Sequence, residues 1–209
     1  MTTKIYTKKG DAGMTNLYDS RGVPKSENIF DALGDLDELA CHIGHLCSLI
    51  HTNPVLGFRK DNGEVFTVVA DRDTGMALGE NAESEIHKDL RWIQVCLLNI
   101  GSDISTKDTS KHLTKDNDVE LLEERTDYYN EQCRRLTEFI LLGSAPSDSI
   151  AHICRAVSRR AERNMWRSTS AHPIPENCFK FINRLSSFFF ALARYMAGDN
   201  EVTRSMYVR

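Results

Sequence analysis

Apolar residues recurring at helical intervals constrain this chain more than any other feature. From Ile29 onward, Leu33, Leu36, Leu39, Ile43, Leu46 and Ile50 fall three or four positions apart, the spacing that lays one apolar stripe along an α-helix. Ser26 stands where a cap for that helix is expected. The period returns at Ile86, Leu90, Ile93, Leu97, Leu98 and Ile100, and again from Val119 through Leu121, Leu122, Tyr128, Tyr129, Leu136 and Phe139 to Leu142. A basic helix is predicted from about Ser147 and an apolar one from about Pro175 to Ala197. Five such segments with one weak strand signal predict an all-α chain, a five-helix bundle that is antiparallel in its simplest form.

Two stretches break the pattern. Residues Lys4 to about Lys25 carry Gly10, Gly13, Gly22 and Pro24 among Thr, Asn, Asp and Ser, a composition that favours irregular backbone. Between Asn53 and about Glu83 the helical period fails, and DNG at Asp61 to Gly63 precedes the β-favouring run VFTVVA at Val65 to Ala70. A long excursion with a small hairpin is expected there. With 209 residues, 27% charged and 41% hydrophobic, the chain suits a single domain spanning 1–209, interrupted by an insertion at about 53–83.

Charge and cysteines narrow the function classes. A net charge of −4 excludes a globally basic nucleic-acid binder, so any affinity for polyanions must be local. No apolar run reaches the roughly 18 residues of a membrane span. The six cysteines lie far apart without a CxxC pair and read as reduced thiols. The start MTTKIYTKKG lacks an apolar signal core or an Arg- and Ser-rich import lead, so a soluble cytoplasmic protein is expected, with neither nucleic acid nor membrane as partner.

The segment RAVSRRAER carries the strongest chemical signal. At 100° per residue, Arg155, Arg159, Glu162 and Arg163 share one face, with Ile153, Val157, Ala161 and Met165 opposite and Arg160 pointing sideways. Three guanidinium groups on one stripe repel one another, which makes sense if an anion sits there, and phosphate matches their bidentate geometry. The other reading is a solvated face laced with Arg–Glu pairs. In YTKKGDAGMT, Gly10 and Gly13 can turn consecutive N–H groups toward an anion while Lys8, Lys9 and Lys25 add charge. An ordinary surface turn reads the same way, and no Walker sequence is present.

Asp35, Asp37 and Glu38 form an acidic knot on the first helix, explained by the helix dipole unless a basic partner reaches it from elsewhere. In the last helix Phe181, Ile182, Leu185, Phe188, Phe189, Phe190, Leu192 and Ala193 go nearly all round, which predicts burial on several sides, and Asn183 among them must find hydrogen bonds, structurally or to a ligand. The aromatic run suits a core and also a flat ligand. Cys41, His42 and His45 share a helical region but lack a completing ligand, so no protein metal site is expected. Neither GxSxG nor HExxH occurs.

Together these segments resemble the ATP:cob(I)alamin adenosyltransferases of the propanediol-utilisation type. The match runs through KIYTKKGDAGMT, PKSENIFDALGDLDEL, IQVCLLNIGSDI, FIL, AHICRAVSRRAER and FINRLSSFFFALARY, in family order. The resemblance implies a homotrimer of five-helix bundles with active sites between subunits. It implies that ATP is held by Thr7, Lys8, Lys9, Gly10, Thr15, Asn16, Lys25, Arg159, Arg160, Glu162, Arg163 and Asn183. Asp37 of one chain would pair with Arg155 of the next, Arg159 would act in the transition state, and Phe139 would occupy the lower face of the corrin.

The implied reaction transfers the 5′-deoxyadenosyl group of ATP to cob(I)alamin, leaving triphosphate, with Mg²⁺ held mainly through the ATP phosphates. A flavin-dependent reductase and an adenosylcobalamin-dependent enzyme are the partners such chemistry allows. The alternative is a catalytically impaired trimeric sensor or carrier of ATP and corrinoid. Its motive lies in departures from the family pattern: Leu142, Gly143, Ser144 and Ala145 follow FIL, and Ser187 replaces a usual Asp. Lys9 also stands for a usual Thr, and Gly22 for a common Arg with Arg21 beside it.

Overall fold

Phe181, Phe188 and Phe189 are fully shielded from solvent, and burying each stabilises the fold by about 1.5–3 kcal/mol relative to exposure. They lie on the last of five α-helices in the computed structural model, which describes residues 4–51, 55–59, 65–70, 77–78, 85–170 and 172–207. The helices are α1 (Asn28–His51), α2 (Glu85–Ile104), α3 (Asp116–Glu131), α4 (Pro146–Ser168) and α5 (Glu176–Ala197). Helix α4 packs against α1 and α5, α5 also packs against α3, and α2 packs against α1. One core results. Ile29, Leu39, Ile43 and Leu46 enter it from α1, Leu90, Ile93 and Ile100 from α2, and Ala151, Cys154, Ala161 and Met165 from α4.

Short strands decorate this bundle. In the N-terminal loop β1 (Met14–Thr15) pairs antiparallel with β2 (Val23–Pro24). Within the excursion β3 (Val55–Arg59), β4 (Val65–Ala70) and β5 (Ala77–Leu78) form an antiparallel sheet in that order, so VFTVVA is its central strand. Finally β6 (Ile140–Leu141) pairs antiparallel with β7 (Val202–Thr203).

Three expectations need correction. Helix α1 opens at Asn28, so Ser26 lies outside its cap position. Helix α3 ends at Glu131 rather than running to Leu142. The Cys133 N–H turns back to the Asn130 carbonyl at 3.1 Å, the Arg134 carbonyl accepts from the Arg194 guanidinium at 2.7 Å, and residues 140–141 join a strand ladder instead. Leu136 and Phe139, which extended the helical pattern in sequence, are exposed. Ile153 is also exposed, although Val157, Ala161 and Met165 of the same predicted stripe are buried.

Before α4, Gly143 adopts φ +100, a conformation that favours glycine. The buried Asp148 carboxylate accepts the N–H groups of Gly143 at 3.3 Å and Ser144 at 3.1 Å, and that of Ala145 as well. These bonds satisfy donors at and before the helix start, with Pro146 as the first helical residue.

Candidate active site

The N-terminal loop owes its shape to a few backbone bends. Lys8 (φ 60), Gly13 (φ 76) and Gly22 (φ 64) take left-handed conformations, and Asn16 Oδ1 accepts the Gly22 N–H at 3.0 Å. The Lys25 N–H donates to the Gly13 carbonyl at 2.9 Å, while Lys25 Nζ donates to the Gly10 carbonyl at 2.9 Å. The result is an open cavity of about 530 Å³ lined by Thr7, Lys9, Gly10, Met14, Thr15, Asn16 and Gly22. Five sequence-predicted residues therefore share one concavity, with Lys25 at its edge; Lys8 is exposed beside it.

Asp19 ties this loop to the end of α2. Its carboxylate accepts the Thr106 hydroxyl and the Lys107 N–H, each at 2.8 Å. The Lys107 bond, then the Thr106 bond, hold the Asp19 carboxyl below its ordinary range. Sequence reasoning missed this anchor because 87 residues separate Asp19 from Thr106.

Helix α4 carries the arginines. Arg159 and Arg163 are exposed, and Arg163 Nη1 donates to the Arg159 carbonyl at 3.0 Å. The Arg159 guanidinium itself makes no hydrogen bond or ion pair among the described residues. Arg155 is half-buried, and its Nε is shielded from solvent without a hydrogen-bond partner among the described residues. Glu162 accepts from Asn183 Nδ2 at 3.0 Å. Asn183 Oδ1 in turn accepts from Arg184 Nη1 at 2.9 Å, and Arg184 Nε donates to Glu123 at 2.7 Å.

Arg160 behaves differently from its neighbours. Its Nε donates to Asp35 Oδ1 at 2.8 Å and its Nη2 bonds Glu38, while Asn164 Nδ2 donates to Asp35 Oδ2 at 2.7 Å. The bond to Asp35 is the main reason the Arg160 guanidinium holds its proton more tightly than usual. The acidic knot thus has its basic partner within the same chain for Asp35 and Glu38, whereas Asp37 is exposed. Among the described residues, no hydrogen bond or ion pair joins the N-terminal loop to Arg155, Arg159 or Arg163 of the same chain.

Phe139 is 78% exposed, beside the exposed Leu141 and Leu142. Ser187 lines a separate cleft of about 270 Å³ with Glu123, Thr126, Asp127 and Arg184. The buried thiols of Cys96, Cys154 and Cys178 are pushed up to about 12 chiefly by desolvation, which makes them poor nucleophiles. Among the described residues no three His, Cys, Asp or Glu side chains gather as metal ligands, and no helix is long and apolar enough to cross a membrane.

A helical bundle with a glycine- and lysine-rich loop, an arginine-bearing helix and a presented aromatic matches one known family. Residues 5–196 fit the model of cobalamin adenosyltransferases, and the chain belongs to that family. The corrinoid adenosyltransferase MMAB of Homo sapiens is 32% identical over 213 residues, covering 99% of this chain and 74% of the human protein. The corrinoid adenosyltransferase of Mycobacterium leprae is 32% identical over 211 residues, covering 96% of this chain and 94% of its own length. A variant PduO-type ATP:corrinoid adenosyltransferase from Lactobacillus reuteri, solved in complex with cobalamin and ATP, superposes with a TM-score of 0.70 at 29% identity, covering 92% of this chain and 93% of that one.

Proposed function

We propose that this chain is an ATP:corrinoid adenosyltransferase that moves the 5′-deoxyadenosyl group of ATP to cob(I)alamin. The observation that carries the reading is the shared concavity of Thr7, Lys9, Gly10, Thr15 and Asn16, in a chain that matches the family across residues 5–196. The loop amides and the ammonium groups of Lys9 and Lys25 suit a nucleotide's phosphates. Thr7 and Thr15 bring hydroxyl oxygens to the same cavity, hard donors that suit a magnesium ion arriving on the triphosphate. When bound, that ion would offset negative charge on the leaving group.

In the proposed reaction the cobalt electron pair forms the bond to the 5′ carbon as the carbon–oxygen bond breaks, and triphosphate departs with the bonding electrons. Arg159, exposed and unpaired among the described residues, is assigned to the charge that grows on the leaving oxygen. Arg163, Glu162 and Asn183 extend the nucleotide side of that helix face. Arg160 belongs instead to the lock between α1 and α4, because Asp35 and Glu38 already hold it.

Among the described residues the loop and the arginine face are not bonded to each other, which favours a homotrimer whose sites form between protomers. The unpartnered Nε of Arg155 suits an acceptor supplied by another protomer, and the exposed Asp37 is the proposed one. Phe139 is assigned to the corrin face. We further read the chain as one cytoplasmic domain with 53–83 inserted between α1 and α2, served by a flavin-dependent reductase and supplying an adenosylcobalamin-dependent enzyme.

The test is turnover by the purified protein with ATP, Mg²⁺ and chemically reduced cobalamin. Adenosylcobalamin and triphosphate are expected. ATP retained without adenosylcobalamin would instead mark a sensor or carrier.

A further inference from the structure

A side chain as exposed as Phe139 has little packing to fix it, so its position is set by the backbone that carries it. That backbone is held by residues beyond α5. The Phe139 carbonyl accepts the Arg204 N–H at 2.9 Å, Ile140 and Leu141 pair with Thr203 and Val202, and Glu138 accepts the Ser205 N–H at 2.8 Å and its hydroxyl at 2.7 Å. The segment 201–205 thus grips the Phe139 strand on both sides of the aromatic.

One buried side chain fixes both partners of that grip. Arg194 of α5 is 5% exposed. Its Nε donates to Glu201 Oε1 at 2.7 Å and its Nη2 to Glu201 Oε2 at 3.2 Å, a bidentate pair. The same Nη2 donates to the Arg134 carbonyl at 2.7 Å, on the chain leading to Phe139. We propose that Arg194 and Glu201 are positioning residues for the corrinoid, setting Phe139 through segment 201–205 and acting on cobalamin rather than on ATP. The proposal rests on the assignment of Phe139 to the corrin, while the nucleotide loop lies on residues 7–25, outside this network.

Two variants cut the grip at different points. Glu201→Gln removes the charge facing Arg194. Arg204→Pro removes the N–H that holds the Phe139 carbonyl. Arg204 opens a 3-10 turn and Thr203 before it is extended, at φ −110 and ψ 159, a context that accepts proline without strain. Arg204→Ala keeps that N–H and serves as the side-chain comparison.

Each protein is assayed for kcat and KM with cob(I)alamin, for ATP affinity, and for the four-coordinate cobalt signature of cob(II)alamin with ATP. In Glu201→Gln and Arg204→Pro, kcat/KM for cobalamin is expected to fall roughly tenfold to a hundredfold. The cobalt signature weakens with it, ATP affinity stays at the wild-type level, and the loss in Arg204→Pro exceeds that in Arg204→Ala. Wild-type cobalamin handling in both variants, or a parallel loss of ATP affinity, overturns the proposal. A wild-type protein without turnover removes the functional assignment instead, so the two failures are distinguishable.

Discussion

Arg160 and Asp35 meet at 2.8 Å across the α1–α4 contact, with the Asp35 side chain only 10% exposed. Asn164 takes the second carboxylate oxygen, so three side chains from two helices close on one another. The pair ties the acidic knot to the arginine helix within one chain.

Replacing Asp35 with Ala strands the Asn164 Nδ2 group and leaves Arg160 held by Glu38 alone. A destabilisation of about 1–3 kcal/mol is expected, read as a shift of the urea midpoint at constant m-value. The solvent exposure of Arg160 keeps the effect from reaching that of a fully buried pair.

Arg159→Ala should separate function from folding. The guanidinium is exposed and makes no bond among the described residues, so the melting temperature should hold while adenosylcobalamin formation falls by about a hundredfold or more. A comparable rate in the variant would remove Arg159 from the reaction.

Gly10→Ala tests the loop. A methyl group there would meet Lys25 Nζ at 2.9 Å and Cε at 3.3 Å, so the lysine must swing away from the Gly10 carbonyl. Weaker ATP binding at an unchanged melting temperature is expected by calorimetric titration; equal affinity would show that Lys25 needs no fixed position.

The pH dependence of stability should report His152. Burial, then the neighbouring Arg155, lower its proton affinity, against opposing pulls from Asp148 and Glu201. The unfolded chain therefore binds a proton first, and stability falls as pH drops from about 6.5 toward the lowered folded-state value, below which the loss is complete. His152→Gln should flatten that part of a stability profile recorded from pH 7.5 to 5. An unchanged slope would assign it to other groups.

Much of this was legible from residue spacing. The stripe from Ile29 to Ile50 needs only local periodicity, and it became α1 almost to the residue. Composition marked the glycine- and lysine-bearing segment as an irregular loop, while Thr7, Thr15 and Asn16 were singled out only by the family resemblance. Tertiary competition hid the rest. Leu136 and Phe139 keep helical spacing, yet their segment is claimed by Arg194 and by strand β7, which no local pattern announces. The partner of the acidic knot was equally invisible, since Asp35 and Arg160 stand 125 residues apart. Asp148 was recoverable: an acidic residue two places after Pro146 is a helix-start signature.

Because the Phe139 strand finds its partner only beyond α5, its setting rests on a long-range contact. Ile140 and Leu141 precede α4, whereas Val202 and Thr203 follow α5, so the β6–β7 ladder joins the two ends of a helical pair. The loop closed by that pairing contains α4 and α5, so the aromatic's seat inherits whatever angle those two helices take against each other.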